Sequence, residues 1–239
     1  MGLSQLKSVQ RKIRLVHLLR LLKSRYTYEE LSKITGLPVT VLNRYVKGKV
    51  LPSAGRTAQL YSILEPYMDL RKEVRDRLLF DSRGFFDIMP ALGNTDLMTL
   101  VAERVASDFE SVGVDKVLTA ATDGIPLAVH VARELGVSVV YAKKKKEVGT
   151  ERFYEVSYVP SASGSVTTLY IPYWALKKSD KVLIVDDVIR SGETQRALVD
   201  LCHKAGARPV GMFFLVSVGN AVSSLEDEYK IPVRSLVNL

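Results

Sequence analysis

The chain has 239 residues, of which 47% are hydrophobic and 25% charged, and its net charge is +8. That composition supports a packed core and excludes a disordered chain. A single cysteine, Cys202, excludes an internal disulfide framework and fits a reducing compartment. No apolar stretch is long enough to span a bilayer, and the start lacks the apolar run of a secretory leader. A soluble cytoplasmic protein without a membrane partner is therefore expected. Met1-Gly2 would suit N-myristoylation, but the basic residues that follow argue against it. The charge is unevenly placed. Residues 1–80 hold 16 Lys/Arg against 6 Asp/Glu, while the rest hold 18 against 20. A basic lobe joined to a near-neutral one points to a polyanionic partner and predicts two domains, 1–82 and 83–239.

Leu6, Val9, Ile13, Val16, Leu19 and Leu22 recur every three or four residues, which predicts an amphipathic helix with a basic outer face. Thr27 can cap a second helix, with Glu30 completing a capping box. Gly36 ends that helix, and Pro38 suits the first turn of a third. Two short helices about a glycine turn have the layout of a helix-turn-helix. The segment from Asn43 to Lys49, then Leu51-Pro52-Ser53, resembles the end of the recognition helix of lambda-repressor-like domains. The resemblance implies that Val39, Thr40, Asn43 and Arg44 face the major groove of double-stranded DNA. Asn43 would suit adenine, and Arg44 guanine or phosphate. Lys47 and Lys49 would contact phosphates, while Leu42 and Tyr45 pack inward. The alternative is a helical protein-interaction module with solvated lysines; the coincidence of motif and charge excess weighs against it. Residues 54–82 continue as helix, interrupted near Pro66. Leu70, Val74 and Leu78 line one side of a charged stretch, so a connecting helix that packs against its copy in a homodimer is expected.

The second domain opens with an amphipathic helix over Thr95–Val112 carrying Leu97, Leu100, Val101, Val105 and Phe109. A strand, 116–120, runs into Ala121-Thr122-Asp123-Gly124 and then a helix, 127–135. The next strand, 137–141, leads to Lys143-Lys144-Lys145-Lys146, a run that is usually a solvated turn. Two β-patterned segments, 152–159 and 166–171, flank Ser161-Ala162-Ser163-Gly164-Ser165 and predict a hairpin. Val182–Val185 is a short, wholly apolar run, the mark of a strand buried in a parallel sheet. Asp186 and Asp187 follow it, then Ile189-Arg190-Ser191-Gly192-Glu193-Thr194 and a helical pattern. Strand, acidic pair, small polar turn and helix place backbone N–H groups where an anion can dock. Gly192 permits close approach, and Ser191 and Thr194 can donate to phosphate. The two aspartates suit sugar hydroxyls, or magnesium through water. The plainer reading is an ordinary connection with Asp187 or Ser191 as N-cap.

The full string from Val182 to Thr194 resembles the phosphoribosyl pyrophosphate (PRPP) motif of type I phosphoribosyltransferases. The resemblance implies that Asp186 and Asp187 hold the ribose hydroxyls and that Ile189, Arg190, Ser191, Gly192, Glu193 and Thr194 hold the 5-phosphate. The turn sixty residues earlier is similar to the family's pyrophosphate loop, which implies contacts from Thr122, Asp123 and Gly124 and a non-proline cis peptide near Thr122. By likeness to orotate phosphoribosyltransferases, Lys143 and Lys146 would reach pyrophosphate, with the hairpin as a lid and Mg2+ bound along with PRPP. The lid departs from the orotate pattern: no histidine lies between His130 and His203. The C-terminal stretch, which predicts a last strand over 233–237, shows no nucleobase-binding signature. PRPP binding is thus implied, base transfer is not, and no catalytic residue or fixed metal ligand is assigned. Strands alternating with helices predict an α/β type I phosphoribosyltransferase fold, a parallel sheet flanked by helices, preceded by an all-α helix-turn-helix domain. That fusion resembles the purine-operon repressors of Gram-positive bacteria, although those use a winged helix. It resembles more closely an archaeal orotate-phosphoribosyltransferase-like family that includes regulators. A transcription regulator sensing PRPP or a related nucleotide is the expectation, and an active phosphoribosyltransferase with an appended nucleic-acid-binding domain the alternative.

Overall fold

The computed structural model describes residues 2–161 and 164–239, with side chains from residue 5 onward. The chain divides into two compact units, one of residues 1–76 with 94–101, the other of residues 77–93 with 102–239.

The first unit is all-helical: α1 (Gly2–Lys23), α2 (Tyr28–Thr35), α3 (Val39–Val46), α4 (Ala54–Leu64), a 3-10 turn over Glu65–Tyr67, and α5 (Leu70–Arg75). The capping box forms. Thr27 Oγ1 accepts the Glu30 N–H at 3.2 Å, and Glu30 accepts the Thr27 N–H at 2.7 Å. Ser53 and Asp69 are simple N-caps of α4 and α5, accepting the Arg56 and Lys72 N–H. Leu15, Leu19, Leu22, Leu31, Leu42, Leu60 and Leu64 are fully buried and make the core. Leu6, Val9 and Ile13, expected on the buried stripe of α1, are exposed instead. From Leu15 onward the stripe is buried; before it α4 meets α1 through Tyr61, which donates to the Arg11 carbonyl and lies under its guanidinium, and those three side chains stay in water. The connecting helix also differs from expectation. It is only six residues long, and Val74 and Leu78 are buried within the chain, so neither is available to a second copy. Glu73, 1% exposed, faces inward and pairs with Arg25 at 2.8 Å, since a buried carboxylate needs a partner.

The second unit begins with the small antiparallel pair β1 (Leu79–Phe80) and β2 (Phe86–Asp87), then α6 (Met89–Leu92). Helix α7 (Thr95–Asp108) has its first turns in the first unit and its last in the second. Then follow β3 (Lys116–Ala120), α8 (Ile125–Leu135), β4 (Ser138–Ala142), β5 (Phe153–Tyr158), β6 (Thr167–Pro172), β7 (Lys181–Ile189), α9 (Glu193–Ala205), β8 (Arg208–Ser217), α10 (Ala221–Tyr229) and β9 (Val233–Asn238). The main sheet is wholly parallel, in the order β4-β3-β7-β8-β9. β7 and β8 lie at its centre and are apolar and buried along most of their length, as a sheet covered on both faces requires. β5 and β6 form the predicted hairpin, tied to the main sheet by a bridge between Lys143 and Tyr170. Ala162 and Ser163 of its loop lie outside the described residues. No helix among the described residues is long and apolar enough to cross a membrane.

Candidate functional site

β3 and β7 are neighbours, with Leu118 in register with Ile184, so the turns that follow them open at the same edge of the sheet. There a cavity of about 170 Å³ is lined by Thr122, Asp123 and Gly124 from the first turn and by Asp186, Asp187 and Thr194 from the second. Lys144, Tyr158 and Leu169 contribute from β4's exit and the hairpin. The expected pyrophosphate turn, acidic pair and last loop residue are thus brought together. The Ala121–Thr122 peptide is cis.

The acidic pair is not at a free strand end. β7 stays paired with β8 past both aspartates, through Val188 opposite Val216 and Ile189 opposite Ser217. Asp186 is 5% exposed and its oxygens are engaged by the protein. Gln195 Nε2 donates to one at 3.1 Å; Thr119 Oγ1, at 3.4 Å, and the Asp187 N–H, at 3.2 Å, donate to the other. Burial, with the Asp187 charge beside it, pushes the Asp186 carboxyl well above the usual carboxylate range. Burial raises Asp187 as well, yet Asp187 is the more accessible of the two. Gly124 completes this packing. A Cβ there would stand 2.1 Å from Asp186 Oδ1 and 2.3 Å from Thr119 Oγ1. The close approach that requires glycine is therefore to the protein's own buried carboxylate.

In the second turn, Gly192 has φ +81° and is the N-cap of α9, with no side-chain cap from Asp187 or Ser191. Ser191 Oγ donates to Glu193 Oε2 at 2.7 Å, and Thr194 Oγ1 shares a 3.0 Å hydrogen bond with the Tyr158 hydroxyl. Ile189 has its side chain in the core and its carbonyl bonded to the Val218 N–H. Arg190 lies over the Phe86 ring at 5.0 Å. Ile189 through Glu193 do not line the cavity; Thr194 does.

Of the lysine run, the two residues expected at pyrophosphate do not line the cavity. Lys143 pairs with Glu147, and Lys146 pairs with Glu155 at 2.7 Å over the Tyr170 ring. Lys144 takes the place instead. No group of three or more His, Cys, Asp or Glu among the described residues is placed to hold a metal. Asp123 and Asp187 offer carboxylate oxygens at the cavity, which fits magnesium arriving on a ligand's phosphates, because that ion keeps its waters and needs only one or two carboxylates.

In the first unit, Thr40, Arg44, Lys47 and Lys49 are exposed and Val39 and Asn43 half-buried, on or just after α3. Leu42 is buried. α2 and α3 are separated by Gly36, Leu37 and Pro38. Sequence reasoning missed Thr119, Gln195, Tyr158 and Lys144. A glutamine on the apolar side of α9's pattern was the one signal available.

Residues 94–237 match the phosphoribosyl transferase domain family. The chain is 31% identical over 146 residues to the purine biosynthesis transcriptional repressor PurR of Bacillus subtilis (strain 168), a match covering 61% of this chain and 51% of the repressor. It spans about half of that relative's length. It is 32% identical to the adenine phosphoribosyltransferase of Acidothermus cellulolyticus, covering 70% of this chain and 93% of that one. The crystal structure of an adenine phosphoribosyltransferase from Rhodothermus marinus superposes with a TM-score of 0.62 at 26% identity, over 71% of this chain and 98% of the other. Five parallel strands in this order, two adjoining turns over an acidic pair and these matches place the chain in the phosphoribosyltransferase family, with the type I fold.

Proposed function

We propose that the protein is a DNA-binding transcription regulator whose phosphoribosyltransferase-like domain senses PRPP or a related ribose phosphate or nucleotide. The observation that carries this reading is the placement of charge. The excess of Lys/Arg falls within residues 1–80, where two short helices meet at a tight turn and present Thr40, Arg44, Lys47 and Lys49 outward. Similarity to a purine repressor supports it. On this reading, residues 1–82 read DNA and residues 83–239 hold the ligand, in a cytoplasmic homodimer of the archaeal regulator kind. Asp187 accepts ribose hydroxyls while Asp186, its oxygens engaged, sets the turn above it. Thr122, Asp123, Gly124 and Lys144 face the pyrophosphate, and magnesium enters with PRPP, neutralising its phosphates. Differential binding of ligand to two arrangements of the DNA readers would couple the sites.

Similarity to an adenine phosphoribosyltransferase along nearly that enzyme's full length favours a second reading, base transfer. There a nucleobase nitrogen bonds to ribose C1 as the bond from C1 to pyrophosphate breaks, the nitrogen's proton passes to water, and Lys144 stabilises the leaving charge.

Fluorescence anisotropy on DNA from upstream of the protein's own gene, with PRPP and magnesium titrated in, separates the two. The regulator reading expects tight, salt-dependent binding whose affinity shifts with PRPP, the shift being lost in Asp187→Asn. No DNA binding, together with turnover of PRPP and a base, would establish the enzyme instead.

A further inference from the structure

The two side-chain hydroxyls expected to meet a ligand's 5-phosphate are already engaged. Glu193 Oε2 accepts from Ser191 Oγ at 2.7 Å and from the Ser161 N–H of the hairpin at 3.2 Å. Thr194, the other hydroxyl of the loop, is held by Tyr158 from the same hairpin at 3.0 Å. Nearby cations are spoken for as well. Arg196 donates to Glu228 at 2.8 Å and to the Ser191 carbonyl at 3.1 Å, and Arg190 lies on Phe86. A carboxylate at the first position of a helix is electrostatically favoured there for the same reason that a phosphate would be. Its bonds to Ser191 and Ser161 hold the Glu193 carboxyl below the usual range, so it stays charged.

We propose that Glu193 is a resident anion of this loop, which a ligand phosphate must displace, and that the displacement unfastens the β5–β6 hairpin at Tyr158 and Ser161. The inference rests on the ligand-sensing reading and specifies its moving part. A phosphate in this loop competes with Glu193 for the Ser191 hydroxyl and repels its like charge, so phosphate entry turns the Glu193 carboxylate out toward water. Ser161 then loses its acceptor and Thr194 exchanges Tyr158 for a phosphate oxygen. Glu193 thereby sets the affinity of the loop and transmits its occupancy to the hairpin.

Hydrogen exchange and calorimetry on the full chain test this, with ribose 5-phosphate as the probe. In the ligand-free protein, Glu193→Ala should speed amide exchange across residues 153–161 several-fold, whether or not any ligand binds; an unchanged rate would overturn the latch. Glu193→Gln, which keeps the shape and removes the charge, should bind ribose 5-phosphate roughly tenfold more tightly, in line with hydrogen bonds to charged groups. Saturating ribose 5-phosphate on the unmodified protein should speed the same amides. Equal or weaker binding by Glu193→Gln would overturn the resident-anion role. If neither protein bound ribose 5-phosphate, the ligand-sensing reading and the resident anion would fail together, and the ligand-free comparison would still decide the latch.

Discussion

The two turns that face the cavity have the same layout, strand then turn then helix, but they are held by opposite means. The turn after β3 is held by packing. Gly124 sits against the buried Asp186 and Thr119 with no room for another atom. The turn after β7 is held by polar side chains, Glu193 on Ser191 and Tyr158 on Thr194, which solvent or a ligand can replace. The cavity thus has one wall shaped by sterics and another held by exchangeable hydrogen bonds.

Glycine substitutions offer the sharpest way to break that contrast. Gly124→Ala should cost about 3 kcal/mol through overpacking, a fall of roughly 6–12 °C in the melting temperature, and abolish ribose phosphate binding. Gly192→Ala meets only side-chain ends and a left-handed backbone and should cost about 1–2 kcal/mol. Thermal unfolding with calorimetry measures both, and the reverse order would refute the distinction.

A smaller effect, of opposite sign, comes from Asp186. Its folded-state pKa is raised by burial, so its contribution to stability is fully present below the unfolded carboxylate range and lost as pH rises through the raised value. Asp186→Asn removes that penalty. It should raise the melting temperature of the ligand-free protein at pH 7–8 by roughly 2–4 °C, an advantage that shrinks toward pH 4. A variant less stable at pH 8 than at pH 4, relative to the parent, would count against a carboxyl strained by burial. The smallest change is Tyr158→Phe, which deletes one partly buried hydrogen bond. It should cost under about 1 kcal/mol while speeding exchange in β5, a dissociation of stability from mobility that the packed turn should not show.

Much of this was legible in the order of residues. Val182–Val185 reads as a buried strand because apolar residues without alternation leave no polar face, and the acidic pair marked the edge at which the cavity opens. What stayed hidden depends on direction in three dimensions. Four consecutive lysines are alike in sequence; the acceptors Glu147 and Glu155 draw Lys143 and Lys146 away, and of the run it is Lys144 that lines the cavity. Thr119 and Gln195 are single polar residues in apolar patterns, and only the adjacency of β3, β7 and α9 shows that both serve Asp186. The stripe of α1 is readable, but its period says nothing about where the packing partners stop, and it carries Leu6, Val9 and Ile13 past them.

The pairing of β7 with β8 beyond the two aspartates bears on the entropy of binding. Asp186 and Asp187 ride on backbone pinned into the middle of a parallel sheet, where amide exchange is slowest. A ligand therefore orders nothing on that side, and its configurational entropy change falls on the end of the hairpin, which is anchored in the core by Val156, Leu169 and Ile171 but meets the loop through a few polar contacts at Tyr158 and Ser161. The temperature dependence of binding would then report on the hairpin almost alone.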